Sequence, residues 1–395
     1  MRALRSARTS CMDKAQEVSK NTQVWRPDAR AELLLRAALW QGQPAQDAFE
    51  QWLAQTSLER LDGASRRLLP LLYLNQRAMG VHHPAMETLR SAYRYFRVLN
   101  QMLFVRGAEA LRALGAADIP TMVLKAAALI PLYYRDPGAR PMGDLDVLVP
   151  TARARDAMRV LHESGWKPQH RELDEFEESY FENNYAHNLR HTDGFNLDLH
   201  RHVMYHDMRP NADEAFWAGA IPVNFIGVPT LGLNPADQLL HTGTHGMYWN
   251  DLAPVRWVAD AYFILQKAEV DWTRLLEQTR ERRLVLQMRD TLGYLKTNMN
   301  APIPLEVIQE LERMPVARIE RIKNELERQP RATHSVPAKV LYHYDQYRRQ
   351  QVGARGAAAL VSFPIYLRDI WNLRRTREIP GYIAQFTWRK ITHGS

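Results

Sequence analysis

The chain has 395 residues, of which 46% are hydrophobic and 24% charged, and its net charge is +8. This length allows two or three domains with substantial hydrophobic cores. The single cysteine, Cys11, excludes an internal disulfide framework and a zinc site built on cysteines.

The N-terminal residues and the cysteine usage predict a reducing, cytoplasmic location. Residues 1–20 are polar and basic and lack the apolar core of a signal peptide. Near the C-terminus, the longest uncharged run covers residues 356–367 and contains Pro364. This run is shorter than the roughly 20 residues that a membrane-spanning helix needs.

Positive charge is concentrated at the C-terminal end. Residues 336–395 contain ten Lys or Arg and three acids, a net charge of 10 − 3 = +7. A solvated basic tail is the simplest interpretation, and contact with nucleic acid, acidic lipid or another polyanionic partner is the alternative.

Hydrophobic periodicity divides the chain into five regions. They are a basic, flexible lead-in over 1–30, an N-terminal helical region over 31–114, a mixed core over 115–233, a helical substrate or cap domain over 234–330, and a basic tail over 331–395. We therefore predict an α+β fold.

Within the core, the pattern predicts short strands that alternate with helices. In chain order we expect a strand over 119–124, a helix over 126–134, a strand over 145–149, a helix capped by Thr151, a strand over 166–170, an acidic surface helix or loop over 172–182, a hairpin over 185–203 around Asp193-Gly194, a strand-and-turn segment over 222–233, and a helix capped by Asn234.

Two acids lie where a strand disfavours them. Asp144 and Asp146 flank Leu145 at the start of the strand over 145–149. Alternate strand residues share a face, so the two carboxylates lie roughly 6.5–7 Å apart along the backbone. They repel each other unless a cation lies between them, and carboxylate oxygens are natural ligands of divalent metals.

The predicted hairpin supplies a third acid. Asp198 shares a strand face with Asn196 and His200, while Leu197 and Leu199 point to the core. If this strand pairs with the one that carries Asp146, three carboxylates converge. Such a set suits a two-metal site that clamps attacking and leaving oxygens.

These residues carry a resemblance to a known family. Leu124-Lys125, the run from Arg140 through Gly143-Asp144-Leu145-Asp146 to Pro150, Asp198-Leu199-His200, and a downstream helical segment with Arg256 and Asp260 occur in that order. The chain resembles, over roughly residues 30–330, the uncharacterised nucleotidyltransferases of the DNA polymerase β superfamily. The resemblance implies a polymerase-β-like core of mixed sheet and helices, flanked by helical regions.

The resemblance also implies an activity and residue roles. Asp144, Asp146 and Asp198 would be the catalytic, metal-ligating acids, with Mg²⁺ or Mn²⁺ as cofactor. Lys125, Arg140 and Gly143 would contact the NTP, for which ATP is favoured by abundance. The implied reaction moves an NMP from the NTP to an acceptor hydroxyl on a small molecule, sugar, protein or RNA, with release of pyrophosphate.

Two alternatives stay open on the sequence. The family usually has glycine after the lysine, whereas this chain has Ala126, so a catalytically silent nucleotide-binding or interaction scaffold is the second interpretation. A metal hydrolase is the third, because His241 and His245 have i, i+4 spacing. They lack the glutamate of zinc proteases, which favours a packing role. Asp260 is expected either to cap a helix or to pair with a nearby cation.

Overall fold

The computed structural model describes residues 25–169, 178–246, 255–328, 336–350 and 357–384. Helices surround one mixed sheet, which confirms the predicted α+β class with helical flanks. The helices, in chain order, are α1 Ala29–Leu39, α2 Gln43–Ala54, α3 Gly63–Ala78, α4 Ala85–Ala116, α5 Lys125–Leu129, α6 Ala154–Glu163, α7 Glu178–Asn183, α8 Glu214–Ala218, α9 Pro235–Gly246, α10 Val255–Lys267, α11 Trp272–Glu281, α12 Val285–Met299, α13 Leu305–Arg313, α14 Arg318–Glu327, α15 Val336–Gln350 and α16 Ala357–Ile370.

The sheet has seven strands in the order β3-β4-β5-β2-β1-β7-β6. The pairs β2–β5 and β1–β7 are parallel, and the other neighbours are antiparallel. The strands are β1 Met122–Val123, β2 Leu145–Leu148, β3 Trp166–Pro168, β4 Ala186–His191, β5 Asn196–His200, β6 Ile221–Phe225 and β7 Val228–Gly232.

The two faces of the central strands have different roles. Leu145 and Val147 of β2 and Leu197 and Leu199 of β5 lie in one buried cluster with residues of α4 and α6. Because side chains alternate along a strand, Asp146 of β2 faces the other side of the sheet. The leucine and valine side chains therefore anchor the strands whose opposite face carries the acids.

The predicted hairpin around Asp193-Gly194 is confirmed. Strands β4 and β5 pair antiparallel, and Gly194 at the turn has φ +90°, a conformation that glycine adopts without strain. The register places Asn188 directly opposite Asp198. The turn therefore fixes which residue faces the third acid.

The helix caps give mixed results. Asn234 caps α9 as predicted, since its Oδ1 accepts from the Asp237 N–H at 3.1 Å. The predicted cap by Thr151 is wrong. A 3₁₀ turn, Thr151–Arg153, precedes α6, and the Thr151 hydroxyl donates to the Arg201 carbonyl at 3.0 Å instead.

Other element boundaries also differ from the prediction. The strand over 119–124 shortens to β1, and the helix over 126–134 is α5 followed by a π-helical turn, Ile130–Tyr134. The left-handed residue Arg135, φ +54°, ends that turn. Strand β3 ends at Pro168; residue 170 and residues 172–177 of the acidic segment lie outside the described residues.

The segment predicted as a basic C-terminal tail contains helices α15 and α16. Tyr347 and Tyr366 are buried between them, and the Asn183 amide of α7 donates to Asp369 of α16 at 2.9 Å. The division into five regions stays a prediction, and residues 1–24 lie outside the described part. Among the helices that the structure describes, none is long and apolar enough to cross a membrane.

Candidate metal and nucleotide site

The parallel pairing of β2 with β5 brings two of the predicted acids side by side. Asp146 and Asp198 are direct partners in the register. Together with His200, they offer three ligand atoms that all lie within 4.8 Å of one another. Asp146 and His200 are buried, and Asp198 is half-buried. The predicted convergence is therefore present for Asp146 and Asp198, and His200 rather than Asp144 is the third residue of the group.

Lys125 reaches this cluster from the end of β1. The Leu124 N–H donates to the Asp146 carbonyl at 3.0 Å, which places the next residue beside Asp146. Lys125 has φ +48°, in the left-handed region that costs a non-glycine residue about 1–3 kcal/mol. Its Nζ lies 2.6 Å from Asp146 Oδ1. A strained backbone thus presents the ammonium to the buried carboxylate.

The charges in the cluster shift one another's protonation. Burial alone would raise the pKa of Asp146, but Lys125 and His200 outweigh it and hold that pKa well below its usual range. Burial would lower the pKa of Lys125, and the attraction of Asp146 raises it instead. Burial and then the repulsion of Asp146 raise the pKa of Asp144 to about 6. The charge of Asp144 is therefore less well compensated than that of Asp146.

Asp144 lies immediately before β2 and is half-buried. It is not one of the three residues whose ligand atoms cluster within 4.8 Å, although its charge interacts with Asp146 and Asp198. Its predicted role as a metal ligand stays a prediction.

Two neighbours of the acids were not assigned roles from the sequence. His200 Nε2 lies 3.0 Å from Asp146 Oδ1, and the Asn188 amide donates to Asp198 Oδ1. The spacing of Asp198 and His200 along β5 was the available signal for the histidine. The amide had no such signal, because a two-residue turn at Asp193-Gly194 would place Leu189 opposite Asp198, whereas the observed register places Asn188 there.

Arg140 is engaged by a partner remote in sequence. Its Nε and Nη2 donate to Asp260 at 3.1 and 2.7 Å, and its Nη1 donates to the Pro141 carbonyl at 3.0 Å. The Tyr134 hydroxyl also donates to Asp260, at 2.7 Å. The expected pairing of Asp260 with a cation is confirmed, and the triphosphate contact of Arg140 stays a prediction.

Gly143 and Ala126 bear on how closely a nucleotide can approach. Gly143 is exposed, and a Cβ built on it would meet no atom within 4 Å. Ala126 is buried and belongs to the cluster beneath the sheet. Its methyl group is therefore part of the core packing, which weakens the argument that Ala126 obstructs phosphate binding.

The histidines of α9 lie outside the acid cluster. His241 is buried, and burial lowers its pKa to about 3, so it is neutral at physiological pH. Its ring stands edge-on to that of His245, with centroids 5.9 Å apart. In the part of the chain that the structure describes, neither joins a group of three ligand residues, which favours the packing role.

The acid cluster fits a divalent cation. It combines two carboxylates with an imidazole, and the Nδ1 of the buried His200 has no hydrogen-bond partner among the described residues. Carboxylate oxygens suit Mg²⁺ and Mn²⁺, and an imidazole nitrogen also suits softer divalent metals.

Comparison with known sequences identifies the family. A family model described as "Uncharacterised nucleotidyltransferase" matches residues 63–300. The chain belongs to this family. Its members are named for nucleotidyl transfer, so the α+β core is that of a nucleotidyltransferase-like fold. The match covers the sheet, the acid cluster and helices α3 to α12.

Other comparisons add little. No curated protein matches the chain. Among solved structures, it is similar to an antigenic nucleotidyltransferase-like protein from Paracoccidioides brasiliensis, at 16% sequence identity and a TM-score of 0.36. That alignment covers 53% of this chain and 95% of the other. At this TM-score the likeness decides nothing about the site.

Proposed function

We propose that the protein is a Mg²⁺- or Mn²⁺-dependent enzyme that transfers an NMP from an NTP to an acceptor hydroxyl and releases pyrophosphate. The observation that carries the proposal is the in-register pairing of Asp146 with Asp198, with His200 and Lys125 in contact with Asp146. Membership of the nucleotidyltransferase family supports the reaction class.

Asp146, Asp198 and Asp144 are the residues that would hold the metal. When bound, it supplies positive charge that neutralises the phosphoryl oxygens and lowers the barrier to displacement. Lys125, already aligned by its backbone, supplies a positive charge beside the phosphates. Arg140 contributes by fixing the segment that leads into Gly143 and Asp144.

Asp198 is suited to accept the proton of the acceptor hydroxyl. It is half-buried, whereas Asp146 is almost fully buried and already engaged by Lys125 and His200. The Asn188 amide orients the Asp198 carboxylate by donating to one oxygen. The other oxygen stays available to the acceptor.

The acceptor and the nucleotide belong to the same proposal. The acceptor is a hydroxyl on a small molecule, sugar, protein or RNA, and ATP is the NTP favoured by abundance. The basic C-terminal segment would contact an anionic partner, and we propose a cytoplasmic site of action.

The test is pyrophosphate release from each NTP in the presence of Mg²⁺ and a fractionated lysate, with mass spectrometry of NMP-modified products. We expect turnover that is lost in Asp146→Asn and Asp198→Asn. Glu163→Gln, an exposed acid on α6, is the matched control and keeps turnover. NTP binding without turnover on any fraction would instead support the scaffold interpretation.

A further inference from the structure

Three arginines from separate segments lie on helix α10 or on segments that contact it. Arg256 is in the first turn of α10, one helical turn before Asp260, and Arg67 is in α3. Helix α10 packs against both α3 and the π-helical turn that carries Tyr134. Asp260 binds Arg140, and Arg140 precedes Asp144 by four residues in the chain. Helix α10 thus carries Arg256, binds Arg140 through Asp260, and packs against the helix that carries Arg67.

The charges of these groups act on one another. Burial and then the repulsion of Arg140 and Arg67 lower the pKa of Arg256 to about 10, and Asp260 and Asp144 offset this only in part. The charge of Arg256 therefore interacts with both arginines and with the predicted metal ligand Asp144.

Asp260, the acid one helical turn from Arg256 on α10, is already paired with Arg140. Both oxygens of Asp260 accept from Arg140, and Oδ1 also accepts from Tyr134. Arg67 and Arg256 are half-buried, and over the described residues neither guanidinium has a carboxylate within 4.0 Å or a hydrogen-bond acceptor. Two partly desolvated cations without partners are costly unless an anion joins them.

The surroundings of Arg256 and Arg67 increase the free-energy cost of leaving the two guanidinium groups without an anion. Arg256 is the second residue of α10, where the helix dipole adds positive charge. Metal ions at the acid cluster would cancel the negative charge of Asp144 and Asp198, which leaves the arginines less compensated still. An anion with several oxygens satisfies both sets of cations at once.

We propose that Arg256 and Arg67 bind the β- and γ-phosphates of the NTP, while Arg140 is a positioning residue that is tied to Asp260. This inference rests on the proposed function, since it assigns phosphate contacts within the same site. The guanidinium groups suit the role because their planar donors bind two phosphate oxygens at once.

The test is calorimetric titration of the protein with inorganic tripolyphosphate, ATP and AMP in the presence of Mg²⁺. A charge-assisted hydrogen bond is worth about 1.5–3 kcal/mol, so Arg256→Ala and Arg67→Ala are each expected to weaken tripolyphosphate and ATP about 10- to 100-fold. The affinity for AMP, which lacks both distal phosphates, should fall much less in these variants. Arg256→Lys, which keeps the charge, should lose less affinity for tripolyphosphate and ATP than Arg256→Ala.

Arg66→Ala is the matched control, because Arg66 is the exposed neighbour of Arg67 on the same helix. Thermal melting confirms that each variant is folded, and Arg67→Ala carries the test if Arg256→Ala fails to fold. If Arg256→Ala and Arg67→Ala bind tripolyphosphate as tightly as the wild type and Arg66→Ala do, the assignment of the phosphates to these arginines is overturned. The proposed function would then stay intact. No Mg²⁺-dependent binding of ATP or tripolyphosphate by the wild type would overturn both.

Discussion

Two buried ion pairs near the sheet differ in how completely they are satisfied. In the Arg140–Asp260 pair, every guanidinium nitrogen has an acceptor and both carboxylate oxygens have donors. In the Lys125–Asp146 pair, the lysine backbone is strained, and Asp144 and Asp198 add negative charge that the lysine does not cancel. The first pair is closed and the second is open to a further cation.

The two pairs should respond differently to the loss of a partner. A closed pair loses stability if either partner is removed, because an uncompensated charge stays buried. An open pair can exchange its internal cation for an external one. The ammonium of Lys125 contacts a carboxylate that a bound metal would also use, so Lys125 and a metal would compete for Asp146.

The closed pair predicts the largest stability effect. Asp260→Ala leaves Arg140 buried without its acid and removes the acceptor of Tyr134, so we expect the free energy of unfolding to fall by about 3–5 kcal/mol. Chemical denaturation measures the loss. Asp156→Ala, which breaks exposed pairs on α6, is the control and should cost less than about 1 kcal/mol. Equal losses in the two variants would contradict the distinction.

The open pair predicts rescue by a metal. Lys125→Ala removes the cation beside Asp146, so saturating Mg²⁺ should stabilise this variant more than the wild type, by a further ~2 kcal/mol. The reason is that the wild type must displace its ammonium before Mg²⁺ binds.

Thermal melting with and without Mg²⁺ measures the difference. The double variant Lys125→Ala/Asp146→Asn is the control, because it lacks the ligand and should not respond. If Mg²⁺ shifts the melting temperature of wild type and Lys125→Ala equally, Lys125 and the metal do not compete for Asp146.

The same contrast explains what the sequence could predict. The acids, the hairpin and the family were visible because strand alternation, a turn dipeptide and short motifs are local patterns. The pairing of β2 with β5, which brings Asp146 beside Asp198, was only a condition of the prediction. Arg140–Asp260 joins residues that are 120 positions apart, which no local pattern indicates. The left-handed conformation of Lys125 was equally hidden, because a lysine rarely adopts it.

A smaller effect is expected at the hydrogen bond that orients the third acid. Asn188→Ala removes the donor to Asp198 at an exposed position, so stability should fall by less than about 1 kcal/mol. Hydrogen-bond partners of metal ligands typically affect metal affinity more than they affect stability. We therefore expect the affinity for Mn²⁺ to fall about 10-fold. Calorimetric titration measures it, with Asn188→Asp as a second variant that replaces the donor by a repelling acid. Unchanged Mn²⁺ affinity in both variants would show that the Asn188 hydrogen bond does not position a metal ligand.

The smallest change in stability should occur at Gly143. A Cβ there meets no atom within 4 Å, and the residue does not have a positive φ, so Gly143→Ala should alter the free energy of unfolding by less than about 0.5 kcal/mol. If the nucleotide approaches the backbone here, the added methyl group should nevertheless weaken ATP binding, because the space is then taken by the ligand. Titration with ATP and Mg²⁺ beside chemical denaturation separates the two effects. Unchanged stability together with unchanged ATP affinity would place the nucleotide away from Gly143, and the phosphate contacts proposed for Lys125, Arg67 and Arg256 would not be affected.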